Sequence, residues 1–339
     1  MQRLGITVVG AGIFGLWQAF ELSRRGHSVT LREAMPEAES GGSSRFAGAM
    51  LAPYCESEAA EPIIQELGLE GLEIWRSAFG HVVQNGSLVV AAARDLAELR
   101  RFERMTEGHH SVDQAAIAGL EPDLAGRFTR GLFFPTEAHV APRPALKVLI
   151  GELRRLGTEL VFGEAVGDPL EAAPAGSVVI DCRGIAARSD LGQLRGVRGE
   201  MAVVRTSYVR LTRPVRLLHP RFPLYVVPWA SDLYMIGATV IEREDGGPVT
   251  VRSALDLLAT AYAVHPAFGE AEIVEISAGV RPAFPDNVPK VIVQGRRVHV
   301  NGAYRHGFLL APVLARIVAE LLEQDRRHPG IVVEVGAKL

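Results

Sequence analysis

Residues 6–15 read Ile-Thr-Val-Val-Gly-Ala-Gly-Ile-Phe-Gly, an apolar β run that leads directly into a glycine motif of the form GxGxxG. In such a motif Gly10 permits the tight turn out of the strand, Gly12 lets the backbone approach a pyrophosphate, and Gly15 allows close helix–strand packing. A helical pattern follows and ends at Arg25-Gly26, where a glycine suits the position just after a helix. The order of strand, glycine turn and helix is typical of a dinucleotide-binding unit.

The second apolar strand, Ser28–Leu31, delivers Glu33 to the position where a carboxylate accepts hydrogen bonds from ribose hydroxyls. The motif alone does not distinguish NAD from FAD, but its place at the start of a two-lobed chain favours FAD. The residues expected to contact the nucleotide in this first unit are Gly10, Gly12, Ile13, Phe14, Gly15, Glu33 and Ala34.

The composition limits the class of protein. A chain of 339 residues with 48% hydrophobic residues can bury two separate cores, and a net charge of −3 offers no basic surface for nucleic acid or anionic membrane. The two cysteines, Cys55 and Cys182, belong to no CxxC or Cys/His cluster, so we expect neither disulfides nor a metal site. The three motif glycines, at fixed spacing, interrupt the apolar run Leu4–Phe20, and no other stretch approaches the ~20 apolar residues that span a bilayer, so we expect a cytoplasmic protein.

The middle of the chain has a different pattern. Two β runs in Val82–Val90 flank Asn85-Gly86 and predict a hairpin, and short β runs within residues 197–241 predict an antiparallel sheet. Helical and parallel-strand patterns then return in two places. They comprise a helix near Arg143–Leu156, a buried strand at Val178–Ile180, strands near Val291–Val293 and Val298–Val300, and a helix beginning near Pro312.

These patterns predict an α/β fold with two domains. A discontinuous Rossmann-type FAD-binding domain comprises residues 1–80, 141–196 and 278–339. An antiparallel-sheet substrate domain comprises residues 81–140 and 197–277.

Residues 43–53 read Ser-Ser-Arg-Phe-Ala-Gly-Ala-Met-Leu-Ala-Pro and resemble the flavin-contacting loop of the D-amino-acid oxidase superfamily, in particular its glycine oxidase branch. Hydroxyls and an arginine can hold phosphate there, and small residues let the backbone approach a planar ring. Further blocks match the same family in the same order over essentially the whole chain. They are Val178–Gly184, Arg198–Met201, Gly237–Thr239, Gly279–Pro282 with Asp286, and Asn301–Pro312.

The resemblance implies an FAD cofactor held by a D-amino-acid-oxidase-like fold. Because no cysteine lies between residues 183 and 339, we expect the flavin to be bound non-covalently. A glycine-containing turn before the last helix points N–H donors toward the flavin edge where negative charge develops on reduction. The further cofactor contacts that the resemblance implies are Ser43, Ser44, Arg45, Gly48, Ala49, Met50, Val166, Cys182, Gly184, Ala303, Tyr304, Arg305, His306, Gly307, Phe308 and Leu309.

A carboxylate substrate requires a fixed cation, and the planar fork of an arginine matches a carboxylate with two hydrogen bonds. The resemblance places Arg281 in that role, with Arg305 nearby and Tyr225 as a hydroxyl donor. It implies oxidation of a small amino acid to an imine, with dioxygen reoxidising the flavin to give hydrogen peroxide. Glycine is the first candidate, sarcosine and small D-amino acids are alternatives, and glycine imine would serve thiazole synthesis in thiamine biosynthesis. The resemblance also implies a homo-oligomer, with a tetramer as one form.

Two departures from the family pattern stand out. Val240 occupies a place where glycine oxidases can carry a methionine near the substrate, and residues 181–184 read Asp-Cys-Arg-Gly instead of a smaller-residue version. His219 and His306 are more typical of packing histidines than of catalytic bases.

Other functions remain open at this stage. A D-amino-acid or sarcosine dehydrogenase would pass its electrons to an acceptor other than oxygen. An NAD(P)-dependent dehydrogenase or a catalytically silent nucleotide-binding protein would use the same first unit.

Overall fold

The computed structural model describes residues 3–220 and 223–335. The helices are α1 Ile13–Arg24, α2 Pro53–Glu56, α3 Pro62–Ala78, α4 Leu96–Met105, α5 Gln114–Leu120, α6 Pro142–Arg155, α7 Val251–Val264 and α8 Gly307–Gln324. The strands are β1 Gly5–Val9, β2 Ser28–Glu33, β3 Met50–Leu51, β4 Ser87–Ala91, β5 His110–Asp113, β6 Arg130–Phe134, β7 Ala138–His139, β8 Glu159–Phe162, β9 Val178–Asp181, β10 Arg195–Arg205, β11 Val215–Leu218, β12 Leu224–Pro228, β13 Leu233–Gly237, β14 Glu272–Ala283, β15 Lys290–Gln294, β16 Arg297–Asn301 and β17 Val332–Glu334.

Internal contacts divide the chain into two units. Unit 1 comprises Met1–Ala47, Arg143–Val197 and Val280–Leu339, and unit 2 comprises Gly48–Pro142 and Arg198–Gly279. This division differs from the domain bounds expected from the sequence mainly in residues 48–80. Those residues join unit 2, where the short helix α2 is hydrogen-bonded to side chains from residues 137 and 216.

Unit 1 contains a seven-stranded sheet in the order β17-β15-β16-β9-β1-β2-β8. Strand β1 runs parallel to both of its neighbours, β2 and β9, so the carboxyl ends of these three strands lie at one edge of the sheet. Helices α1 and α8 pack against each other, and their inward faces are fully buried, as shown by Leu16, Leu314 and Val318. Burial of such side chains contributes about 1.5–3 kcal/mol each to folding.

Unit 2 contains an eight-stranded sheet in the order β14-β10-β13-β12-β11-β4-β6-β5. Most of its pairs are antiparallel, while β4 and β11 run parallel. Alternate residues of each strand point to opposite faces, and both faces are covered. One face packs against α7 through Val226, Ile236 and Leu257, and the other packs against residues 52–55 and α4 through Leu132 and Phe102.

The structure confirms the first strand–turn–helix unit, the helix near Arg143–Leu156 and the antiparallel character of residues 197–241. The predicted hairpin at Asn85-Gly86 is wrong. Strand β4 pairs with β6 and β11, and Val83 forms a bridge with His139 instead. A glycine is needed at position 86 because a Cβ atom there would lie 2.5 Å from the Phe133 ring.

Two expectations about the C-terminal third also need correction. The last helix begins at Gly307, not near Pro312, so this proline lies inside the helix. Strands β15 and β16 form an antiparallel pair, and only β16 continues the parallel sheet by pairing with β9.

Candidate active site

The glycine turn of unit 1 has the geometry that its sequence predicts. Gly10 adopts a φ of +100°, and a Cβ atom there would lie 2.7 Å from the carbonyl oxygen of Cys182. A Cβ atom on Gly15 would lie 1.8 Å from the carbonyl oxygen of Gly10. Only glycines therefore allow α1 to start this close to the carboxyl ends of β1 and β9.

Glu33 lies at the end of β2 and is fixed by two backbone donors. Its Oε2 atom accepts from the Ala11 N–H at 2.6 Å, and its Oε1 atom accepts from the Met35 N–H at 3.0 Å. Each carboxylate oxygen retains further acceptor capacity, which suits ribose hydroxyls. Nearby, the Ser44 hydroxyl accepts from the Ile13 N–H at 3.1 Å and so occupies a donor of the first turn of α1.

A cavity of about 320 Å³ opens at this edge of the unit 1 sheet. The sequence-predicted residues that line it are Gly10, Gly12, Ile13, Phe14, Glu33, Ala34, Ser43, Ser44, Val166, Cys182, Gly184 and Ala303. Lining residues that the sequence did not single out include Met35, Gly41, Ala165, Arg183, Pro282 and Asn301. Arg183, Pro282 and Asn301 belong to the blocks quoted for the family resemblance, so a signal for them was present.

The turn before α8 is held by backbone hydrogen bonds. Tyr304 adopts a φ of +46° and donates its N–H to the carbonyl of Pro282 at 2.8 Å, and His306 donates its N–H to that of Ala303 at 2.8 Å. A Cβ atom on Gly307 would lie 3.4 Å from Ile13, which shows that α8 and α1 begin side by side. Two helix N-termini, each with a partial positive charge, therefore lie next to each other at the cavity.

Other predicted residues of this turn have structural surroundings. Phe308 and Leu309 are buried in the core of unit 1, and Arg305 is half-buried. The buried His306 precedes α8 with its ring 5.7 Å from that of Tyr304, as expected for a packing histidine.

Arg281 lies on β14 between two residues that line the cavity, Val280 and Pro282. Because successive side chains of a strand point to opposite faces, the Arg281 side chain points away from the face that its neighbours present. Arg281 is half-buried.

In unit 2, the segment that resembles a flavin-contacting loop lies against Tyr225. A Cβ atom on Gly48 would lie 2.7 Å from Cε2 of the Tyr225 ring, so the ring lies directly on the loop backbone. The next residues are fixed by β7, because the Val140 N–H donates to the Ala49 carbonyl at 3.1 Å and Met50 pairs with His139.

The chain after Met50 is held by two buried ionisable side chains. Glu137 accepts from the Cys55 N–H at 2.8 Å, and Arg216 donates to the Cys55 carbonyl at 3.3 Å and to Glu58 at 3.0 Å. Arg216, on β11, is also the cross-strand neighbour of Tyr225 on β12. The one-turn helix α2, which provides no side-chain cap of its own, is thus capped by residues distant in sequence.

Burial changes the acidity of several of these groups. It raises the pKa of the Glu137 carboxyl to about 7 and lowers that of the His139 imidazole to about 4. It also raises the pKa of the Cys182 thiol, with a further contribution from the neighbouring Asp181 carboxylate. Cys182 is therefore a protonated and weakly nucleophilic thiol at neutral pH, although it lines the cavity.

Across the two described stretches, residues 3–220 and 223–335, no cluster of His, Cys, Asp and Glu side chains is arranged to hold a metal ion. Within the same residues, none of the helices combines the length and the apolar character that a membrane crossing requires.

Comparison with known proteins agrees with this geometry. A protein of Rhizobium etli, provisionally named thiamine biosynthesis oxidoreductase ThiO, is 52% identical over 325 residues, which cover 96% of this chain and 98% of that protein. The glycine oxidase of Geobacillus kaustophilus is 27% identical over 95% of this chain and 94% of its own length. A crystal structure of glycine oxidase from the same organism superposes with a TM-score of 0.79, covering 97% of this chain and 96% of that structure at 23% identity.

The family description FAD dependent oxidoreductase (DAO) matches residues 5–321, nearly the whole chain. The cofactor is therefore FAD, in agreement with the glycine turn, the fixed Glu33 carboxylate and the adjacent starts of α1 and α8. By this match, the chain belongs to the DAO family of FAD-dependent oxidoreductases.

Proposed function

We propose that this chain oxidises a small amino acid, with glycine as the first candidate, to its imine and transfers the electrons to dioxygen, forming hydrogen peroxide. The observation that carries the proposal is the contact of the Tyr225 ring with the backbone of Gly48. This contact brings a hydroxyl that would donate to the substrate next to the segment that resembles the flavin-contacting loop. The names of the relatives, glycine oxidase and thiamine biosynthesis oxidoreductase, support a small amino acid and a role in thiamine biosynthesis. We further propose that the imine is consumed in thiazole formation.

The residues of unit 1 would hold the cofactor. Glu33 would accept from ribose hydroxyls, while the first turns of α1 and α8 would offer N–H donors and a partial positive charge. When bound, FAD supplies hydride acceptance and the onward transfer of electrons to dioxygen. We also propose that the segments Ser43–Met50 and Ala303–Leu309 bind the cofactor, because they resemble the flavin-contacting segments of the family.

The substrate requires a cation for its carboxylate and a donor that fixes its orientation. The half-buried Arg281 would bind the carboxylate through its planar fork, and the Tyr225 hydroxyl would donate one further hydrogen bond. We propose Arg305, which lies in the turn before α8, as a second cation in this role. Fixing the amino acid in this way contributes orientation, which is a large part of the barrier reduction in such reactions.

A peroxide-coupled assay of the yellow holoenzyme with glycine, sarcosine and D-alanine tests the proposal. We expect peroxide from at least one of these substrates, with glycine giving the highest kcat/KM. Turnover with an artificial electron acceptor alone would instead show a dehydrogenase, and the absence of both activities would refute an amino-acid oxidoreductase. Light scattering of the same sample tests the homo-oligomer that the family resemblance implies.

The variant Arg281→Ala tests the carboxylate site. We expect FAD to be retained and KM to rise by the equivalent of about 2–5 kcal/mol, because a buried carboxylate loses its partner. The exposed Arg326 in the same unit provides a matched control, and Arg326→Ala should leave KM unchanged. An unchanged KM in Arg281→Ala would place the carboxylate elsewhere.

A further inference from the structure

Arg183 is a charged residue at a position where the family pattern carries smaller residues, and the structure shows where its side chain lies. It follows β9 by two residues, and its backbone nitrogen would lie 3.1 Å from a Cβ atom on Gly10. Its side chain is 15% exposed, and the residue lines the cavity described above. An arginine built into the wall of a nucleotide cavity calls for an explanation beyond surface solubility.

Two carboxylates fix the Arg183 guanidinium. Its Nε atom donates to Oδ1 of Asp181 at 3.0 Å, and its Nη2 atom donates to Oδ2 of Asp181 at 2.9 Å and to Oδ2 of Asp190 at 2.5 Å. Burial alone would lower the pKa of Arg183, but these two partners raise it, so the charge is permanent. The two-bond contact with Asp181 lies in the guanidinium plane, so this carboxylate binds the edge of the guanidinium and not a flat face.

The third nitrogen of the same guanidinium contacts the loop that follows β8. Its Nη1 atom donates to the carbonyl of Gly167 at 3.4 Å, in the loop that follows β8. That loop is tied to the end of β2, because the Gly163 N–H donates to the Met35 carbonyl at 3.1 Å and the Glu164 N–H donates to the Glu33 carbonyl at 3.2 Å. Arg183 therefore extends toward the part of the cavity that Glu33 marks as the ribose site.

We propose that Arg183 is an FAD-binding residue that presents a flat face of its guanidinium to the adenine base. A guanidinium attracts the face of an aromatic ring, and its planar shape allows stacking that an ammonium group cannot provide. Asp181 and Asp190 act as positioning residues, because they hold the guanidinium in one orientation before the cofactor arrives. This inference rests on FAD as cofactor and is independent of the identity of the substrate.

A second arginine, Arg297, contacts the same two carboxylates as Arg183 and supplies a matched control. Arg297 donates to Oδ2 of Asp181 and to Oδ2 of Asp190, both at 2.6 Å, but it is not among the residues that line the cavity. Its replacement therefore weakens the cluster without removing a group from the cavity wall. In Arg183→Thr, by contrast, Asp181 keeps Arg297 as a partner and the buried carboxylate is still compensated.

The test measures binding of FAD, ADP and FMN to the full-length chain after its own flavin has been removed. In Arg183→Thr we expect the Kd of FAD and that of ADP to rise together by roughly 3- to 30-fold, the range of a cation–π contact. The Kd of FMN, which lacks the adenosine group, should stay within about twofold of the wild type, which also shows that the variant is folded. Where Arg183→Thr does not fold, Arg183→Gln keeps a planar group and a donor toward Asp181.

In Arg297→Gln we expect lower thermal stability with unchanged Kd values for FAD and ADP. The proposal is overturned if Arg183→Thr binds FAD and ADP as tightly as the wild type. It is equally overturned if Arg297→Gln weakens FAD binding as much as Arg183→Thr does, because the effect then comes from the cluster and not from the cavity wall.

Discussion

Glu137→Gln should stabilise this protein above neutral pH, although the substitution removes a charge from the interior. Glu137 is fully buried, and its Oε1 atom accepts from the Cys55 N–H. Burial raises its pKa from 4.5 to about 7, which corresponds to roughly 3 kcal/mol of preference for the protonated form. A glutamine keeps the acceptor for Cys55 and has no charge to desolvate.

The direction in which stability changes with pH depends on whether the folded or the unfolded state binds the Glu137 proton more tightly. Between pH 4.5 and 7 the folded protein retains the Glu137 proton while the unfolded chain has released it, so the stability of the wild type falls as pH rises through this window. Above pH 7 the full cost of roughly 3 kcal/mol is present. The advantage of Glu137→Gln over the wild type should therefore grow by about 2 kcal/mol between pH 5 and pH 8.

Urea unfolding of both proteins at pH 5, 6, 7 and 8, with saturating FAD, measures this difference directly. Glu121→Gln is the matched control, because Glu121 is equally buried but is bonded to Arg213 and to the Thr212 N–H. It should destabilise the protein at every pH, since Arg213 loses its buried partner. If the stability difference between Glu137→Gln and the wild type is the same at pH 5 and pH 8, Glu137 does not titrate in this window and the reasoning fails.

Three further predictions concern single residues, one in unit 1 and two in unit 2. Gly15→Ala should abolish FAD binding, measured by flavin absorbance of the purified protein, because its Cβ atom would overlap the Gly10 carbonyl oxygen at 1.8 Å; a yellow variant with normal FAD content would contradict this. Gly48→Ala should displace the Tyr225 ring, which a Cβ atom would approach to 2.7 Å, and should lower kcat/KM on the order of tenfold or more, the equivalent of 1.4 kcal/mol. Burial lowers the His139 pKa from 6.5 to about 4, so the wild type loses stability as the pH falls through that window. In His139→Gln the free energy of unfolding, measured with urea, should decrease less between pH 6.5 and pH 4, and an equal decrease in the variant and the wild type would contradict this.

Sequence patterns predicted the features that depend on neighbours along the chain. Gly10 and Gly15 were identifiable because a strand, a turn and a helix follow one another within twenty residues. Gly26 was identifiable because a glycine suits the position just after a helix, and its φ of +90° in the structure agrees. The family resemblance extended this information to Ala303, which lies in a quoted block, and to Val166, and both residues line the same cavity. Local signals and the family resemblance therefore indicated about half of the residues that line the cavity.

What could not be predicted depends on pairing between distant segments. The turn residues Asn85-Gly86 are typical of a hairpin, yet β4 obtains its partners from β6 and β11, because those strands cover both of its edges in the folded sheet. Glu137 caps α2 although it lies 82 positions from Cys55, and no local sequence motif indicates this contact. Arg183 was visible only as a departure from a pattern, because Asp190 and Gly167, which orient its side chain, are not marked by any spacing rule.

The walls of the FAD cavity come from three separated parts of the chain, which has a consequence for how the protein is made. The ribosome completes the glycine turn and Ser44 early, but Pro282 and Ala303 emerge roughly 260 residues later, after about 10–50 s at ordinary rates of elongation. Until then the nascent chain carries the phosphate-binding motif without the walls that enclose a nucleotide. A chain that ends before Ala303 therefore lacks part of the cavity wall, and we expect cofactor capture only after this last segment has been synthesised.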